Sequence, residues 1–105
     1  MIIRTATRKD FIDFYERAPP MTMRAWVADD NGELLGIGGY YLQGGHAVTF
    51  TDHREQMTKR DRVKSGHFLV NQLKKLRIGV IACTEHASVL KHFGFEPFGP
   101  VWRLR

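Results

Sequence analysis

Cysteine is nearly absent from this chain. Cys83 stands alone among 105 residues, which excludes an internal disulfide and suits a reducing compartment. Long apolar runs are missing too. None approaches the roughly 20 residues that cross a bilayer, so no membrane role is expected. The opening "MIIRTATRKDF" carries charges where the apolar part of a secretory signal would have to lie, and no such signal is expected. Internal repeats, linkers and low-complexity tracts are lacking, which leaves residues 1–105 as one expected domain with one core. Hydrophobic residues still make up 43% of the chain, enough to supply a folded interior.

The chain has basic charge, and it is concentrated. Eight of the sixteen Lys and Arg residues fall within residues 54–77: Arg54, Lys59, Arg60, Arg62, Lys64, Lys74, Lys75 and Arg77. Only Glu55 and Asp61 oppose them there. Such density favours phosphate, on a nucleic acid or on a nucleotide-bearing cofactor; a solvated helix face has the same composition. The stretch has no interleaved exposed aromatics and no known reader motif, which argues against a nucleic-acid-binding module.

Periodicity gives the element order. "MIIRTAT" alternates as a strand does. "TRKDFIDFYERAPP" predicts a short amphipathic helix capped by Thr7 with Asp10 three residues on. Its stripe is Phe11, Phe14 and Tyr15, and Pro19 and Pro20 end it. "MRAWVADDNGELLGIGGYYLQGGHAVTFT" predicts a three-stranded meander turning at Asn31-Gly32 and Gly44-Gly45. Gly36, Gly38 and Gly39 in its middle strand call for a bulge or a close backbone approach.

Residues 59–77 change period. Val63, Leu69, Val70, Leu73 and Leu76 form a helical stripe with Gly66 on the same face, and Thr58 and Asp61 form a cap pair. "IGVIACT" predicts a buried strand. Thr84 would cap the next helix, whose inner face is Ala87, Leu90 and Phe93. Gly94 is expected in the left-handed conformation that ends a helix, with Phe95 packing back on the last turn. "EPFGPVWRLR" supplies a final strand. The order β-α-β-β-β-α-β-α-β places the chain in the α/β or α+β class, a sheet with helices on its faces.

That order, together with residues 78–99, "IGVIACTEHASVLKHFGFEPFG", resembles the GNAT acetyltransferases. The shared features are a buried strand, a short helix, an aromatic-Gly-Phe segment and a strand opening near a glycine. Within the family, "AVTFTDH", "KRDRVKSGHFLVNQLKKL" and "HASVLKHFG" are similar in plan to small GNAT-like proteins of bacteriophages, the T7-type internal virion protein among them. The resemblance implies a mixed, mostly antiparallel central sheet whose fourth and fifth strands splay apart. The pantetheine arm of acetyl-CoA enters that gap, and its pyrophosphate lies at the N-terminus of the following helix. Carried onto this sequence, the cofactor-binding residues are Val48, Phe50 and Thr51 on the fourth strand, and Lys59, Arg60, Arg62, Lys64, Ser65 and Gly66 on the helix.

The family motifs are altered at two places. Its helix opens with Arg/Gln-x-x-Gly-x-Gly/Ala, where this chain has "RVKSGH" with a single glycine. Its Asn-x-x-Ala-x-x-Leu-Tyr-x-x-Leu-Gly-Phe signature carries a general-acid tyrosine, and counting back from Gly94-Phe95 puts Leu90 there and Cys83 at the Asn position. Leucine has no proton to give. His86, one turn earlier, is the candidate acid in its place, and Asp52, just after the fourth strand, is a candidate base or a loop residue. Five histidines without tight spacing to other ligands do not make a zinc site, and no metal is expected.

Two functions follow. One is transfer of an acetyl group from acetyl-CoA to an amine acceptor, in the cytoplasm. The other is a GNAT-like phage or prophage protein without catalysis, a virion component or a modulator of a host protein. Dimerisation through the C-terminal strand occurs in this fold and is a further expectation.

Overall fold

A computed structural model describes residues 1–82 and 87–104, without the side chain of Ala87. Cys83, Thr84 and His86 lie outside the described residues. The chain runs β1 (Ile2–Thr5), α1 (Arg8–Tyr15), β2 (Arg24–Asp30), β3 (Glu33–Gln43), β4 (His46–His53), α2 (Lys59–Leu73), β5 (Val80–Ala82), α3 (Ala87–His92), β6 (Phe95–Phe98) and β7 (Val101–Leu104). All seven strands join one sheet in the order β1-β2-β3-β4-β5-β7-β6. Every pairing is antiparallel except β4 with β5. The expected class, a mixed and mostly antiparallel sheet, is the one observed.

Both meander turns form as their residues require. Asn31 and Gly32 take φ of 54° and 92°, and Gly44 and Gly45 take 59° and 79°. Each pair makes a two-residue hairpin loop of the left-handed kind that matches strand twist. The middle-strand glycines serve close approach. A Cβ on Gly39 would lie 2.1 Å from the Arg24 carbonyl oxygen, and one on Gly38 would lie 3.1 Å from the Leu69 side chain of α2. A bulge is present as well, where the register shifts at Ala28/Asp29 and leaves Leu35 as the extra residue of β3.

Alternation sends neighbouring strand residues to opposite faces. Ala25, Val27 and Ile37 pack with Phe11 of α1 on one face. Ala47, Val80 and Ala82 pack with Leu69, Val70 and Leu73 of α2 and with Leu90 of α3 on the other. Helices therefore cover both faces.

Two ends differ from expectation. Helix α1 stops before the prolines, because Glu16 turns left-handed at φ 60° and its N–H donates to the Ile12 carbonyl. The final strand is two strands, since Gly99 at φ 62° opens a hairpin between β6 and β7. β7 enters between β5 and β6, and β6 forms the outer edge with Pro97, which has no N–H to offer a neighbour. At the other helix end the expectation holds. Gly94 sits at φ 89°, and Phe95 is buried in the cluster that holds Leu90.

One charged junction ties β1, α1 and the β2–β3 hairpin. The Arg4 guanidinium donates to both Asp10 carboxylate oxygens at 2.7 and 3.0 Å and to Asp29 Oδ2 at 3.0 Å. Asp10 also accepts from the Thr7 backbone N–H at 2.8 Å, completing the capping box read from the sequence, and Asp29 accepts from the Gly32 N–H. The Arg4 hydrogen bonds hold the Asp10 carboxyl down from 3.8 to about 2. A carboxylate with a depressed native pKa stabilises the fold fully above about pH 4, and that contribution is lost as pH falls toward about 2. Asp10→Ala is expected to cost about 1–2 kcal/mol, the range for a lost cap, and to flatten the acid limb of the stability curve in urea unfolding at several pH values.

Candidate functional site

The site is built on β4 beyond its described pairing with β5. Among the described residues the two strands pair in parallel at three positions: Ala47 with Val80, Val48 with Ile81 and Thr49 with Ala82. β4 runs on to His53, and there its only partner among the described residues is β3. Backbone groups along a strand alternate in direction. The Ala47 N–H donates to the Gly79 carbonyl on the β5 side at 2.8 Å, whereas the Arg54 N–H donates to Leu35 on the β3 side. Thr51 and His53 therefore turn their backbone groups toward the gap, and Val48, Phe50 and Asp52 turn theirs toward β3.

Side chains sort by the same alternation. Val48 is buried. Phe50 packs with the α1-side core. Thr51 lies on the α2 face, where its methyl would sit 3.3 Å from a Cβ on Gly38. Asp52 points to the α1 face and accepts a hydrogen bond from the Tyr15 hydroxyl at the end of α1. Burial, and after it the bond to Asp52, push the Tyr15 phenol well above its usual range, so it remains a neutral donor. Tyr15 is also edge-on to Phe14, whose ring Arg54 covers at 4.8 Å. One oxygen of Asp52 is thus fixed by a phenol, and the carboxylate stays exposed.

The loop after β4 leads into α2. Thr58 caps the helix and accepts from the Asp61 N–H at 3.1 Å, one half of the cap pair read from the sequence. The Arg62 N–H already bonds the Thr58 carbonyl at 2.9 Å. Helix geometry leaves the Lys59 and Arg60 N–H groups without an intrahelical acceptor. The side chains of Lys59, Arg60, Arg62 and Lys64 are exposed, and Arg62 is partly engaged, donating to the Met57 carbonyl at 3.3 Å.

Ser65 and Gly66 lie two turns deeper. The Ser65 hydroxyl is buried without a hydrogen-bond partner. Gly66 faces α3, where an added Cβ would lie 2.4 Å from the Phe93 ring. The missing side chain at Gly66 lets α3 dock on α2, a packing role that the spacing of "RVKSGH" alone did not reveal.

Of the sequence-derived residues, the fold places Thr51 and Asp52 at the end of β4, one short loop before the start of α2. Tyr15 was missed; His53, which the sequence offered beside Asp52 after the fourth strand, lies at the end of β4 itself. The alternation along β4 already pointed to His53; Tyr15 reaches Asp52 only through the tertiary fold, 37 residues away in sequence. A depression of about 430 Å³ bordered by His46, Ile81, Phe98 and Arg103 lies at the opposite end of the β4–β5 pair, away from this constellation. No helix is long and apolar enough to cross a membrane among the described residues.

If Gly66 is a packing residue, Gly66→Ala destabilises the fold by about 2 kcal/mol through overpacking, despite alanine's better helix propensity. In a Phe93→Ala background the same change should become neutral or stabilising, a sign reversal that a double-mutant cycle in urea reads directly.

No protein-family model matches the sequence, and no curated protein matches it. Among solved structures, a putative GnaT-family acetyltransferase from Bordetella pertussis superimposes with a TM-score of 0.62 at 13% identity, over 93% of this chain and 71% of that one. At that identity the likeness speaks to architecture: the chain carries the GNAT acetyltransferase fold.

Proposed function

We propose that this protein binds acetyl-CoA in the β4–β5 gap and transfers its acetyl group to an amine. The observation that carries the reading is the β4 edge at Thr51 and His53, which has no strand partner toward β5 among the described residues and leads through residues 54–58 to a helix start with free N–H groups and the exposed cations Lys59, Arg60, Arg62 and Lys64. The residues fit the cofactor in kind. A strand edge can pair with the amides of a pantetheine arm, and a helix N-terminus with cations suits a pyrophosphate. The backbone of Thr51 and His53 would hold the arm, and the Lys59 and Arg60 N–H groups with the Arg60 side chain would hold the phosphates. When bound, acetyl-CoA supplies an activated thioester.

Asp52 then has the base's part. Its carboxylate is exposed on the α1 face between Thr51 and His53 in sequence and is oriented by Tyr15, and it takes the proton that the amine must lose. His86, the acid candidate from the sequence, would protonate the departing thiolate. Leu90 supports the second reading, a GNAT-like phage or prophage protein without catalysis: it stands where the family's tyrosine would be and is sealed in the core at 8% exposure. In that case the fold would serve a phage or host protein partner.

Isothermal titration separates the outcomes. The expected result is micromolar binding of acetyl-CoA and of free CoA, weakened about tenfold or more in Arg60→Ala, the loss of one charge-assisted contact. Asp52→Asn should keep that affinity and lower acetylation of an accepted amine at least about 100-fold. Binding with no acetylation across an amine panel selects the second reading. No heat at millimolar cofactor refutes the proposal.

A further inference from the structure

The cations of α2 fall into two groups once the helix is formed, and the cofactor reading uses only the first turn. At 100° per residue, Arg60, Lys64, His67, Asn71 and the C-cap Lys74 fall on one side of α2, away from the buried Leu69 and Leu73, and Lys75 follows just past the helix end. Arg60, Lys64, His67, Asn71, Lys74 and Lys75 are all exposed. The helix's one acid, Asp61, stands beside the first turn of the row, three residues before Lys64. Among the described residues no ion pair engages these cations. Helix α3 extends the surface: His92 comes to 5.6 Å from His67 between ring centroids, and Lys91 beside it is exposed.

We infer that this ridge lies across the major groove of duplex DNA and contacts the phosphates on its two lips. The spacing supports a groove. The ridge carries a basic pair at each end, Arg60 with Lys64 and Lys74 with Lys75, and only His67 and Asn71 between. From Lys64 to Lys74 is about 15 Å along the axis, and from Arg60 to Lys74 about 21 Å. A B-form major groove is about 12 Å wide, so the row spans it and places cations at both backbones.

The composition argues against two other partners. A protein partner would need an apolar or aromatic anchor at the centre, where this face has an imidazole and an amide. A single strand would need exposed rings for base stacking, and the row has no Phe, Tyr or Trp. The missing aromatics, which in the sequence argued against a nucleic-acid-binding module, bear on base stacking, and a duplex-backbone contact does not need it. Lys74 and Lys75 also suit the negative end of the helix dipole, which accounts for two cations there but not for Arg60 and Lys64 at the positive end.

Fluorescence anisotropy with a short labelled DNA duplex of mixed sequence tests this. Log affinity should fall against log salt with a slope of about −3 to −4 for four phosphate contacts. Lys74→Gln/Lys75→Gln should flatten the slope by about 2 and lower affinity roughly tenfold or more near 100 mM salt. Arg8→Gln/Lys9→Gln, the same charge loss on exposed α1, should change the slope little. The α2 double variant should retain acetyl-CoA binding, so this inference and the cofactor reading fail separately. No duplex binding, equal losses from the two double variants, equally tight binding of single strands or duplex RNA, or equally tight binding of polyglutamate would each overturn it.

Discussion

Two adjacent strands that run parallel cannot be joined by a tight turn, so a crossover must separate them, and in this chain the crossover is α2. Among the described residues β4 pairs with β5 at three positions, and β4 continues for four more residues. Everything proposed for the cofactor depends on the stretch of β4 beyond those positions. Among the described residues its backbone groups on the β5 side have no strand partner, and the crossover helix starts a few residues beyond.

The packing of α2 sets where that helix can start. Gly38 admits Leu69 from above the sheet, and Gly66 admits Phe93 from α3. Both glycines remove a Cβ at a helix contact, so the helix lies close to β3 and α3 leans on it. This proximity fixes the cap at Thr58 relative to the end of β4. The Arg4–Asp10–Asp29 junction does the same at the far edge, holding α1 so that Tyr15 meets Asp52.

Much of this was legible in the sequence where the signal is local. Asn31-Gly32 and Gly44-Gly45 specify their turns by φ alone, Thr7 with Asp10 specifies a cap, and Gly94-Phe95 specifies a helix end. The α2 stripe showed as a period. Non-local features were less visible. The strand "EPFGPVWRLR" divides because Gly99 is left-handed, which a single apolar run does not announce. Gly66 resembles a phosphate-loop glycine in one dimension and is a helix–helix contact in three. Tyr15 and Asp52 meet only when α1 crosses the sheet. The candidate acid His86 lies outside the described residues, so the site stands on Thr51, Asp52 and the α2 start.

The central claim is that the β4 edge holds the cofactor, and backbone amide NMR tests it residue by residue. Titrating acetyl-CoA into labelled protein should move the amide signals of Thr51 and His53 and those of Lys59 and Arg60, while the β1–β2 pairing stays unchanged. Shifts confined to the depression around His46 and Arg103, or no shifts at saturating cofactor, would contradict it.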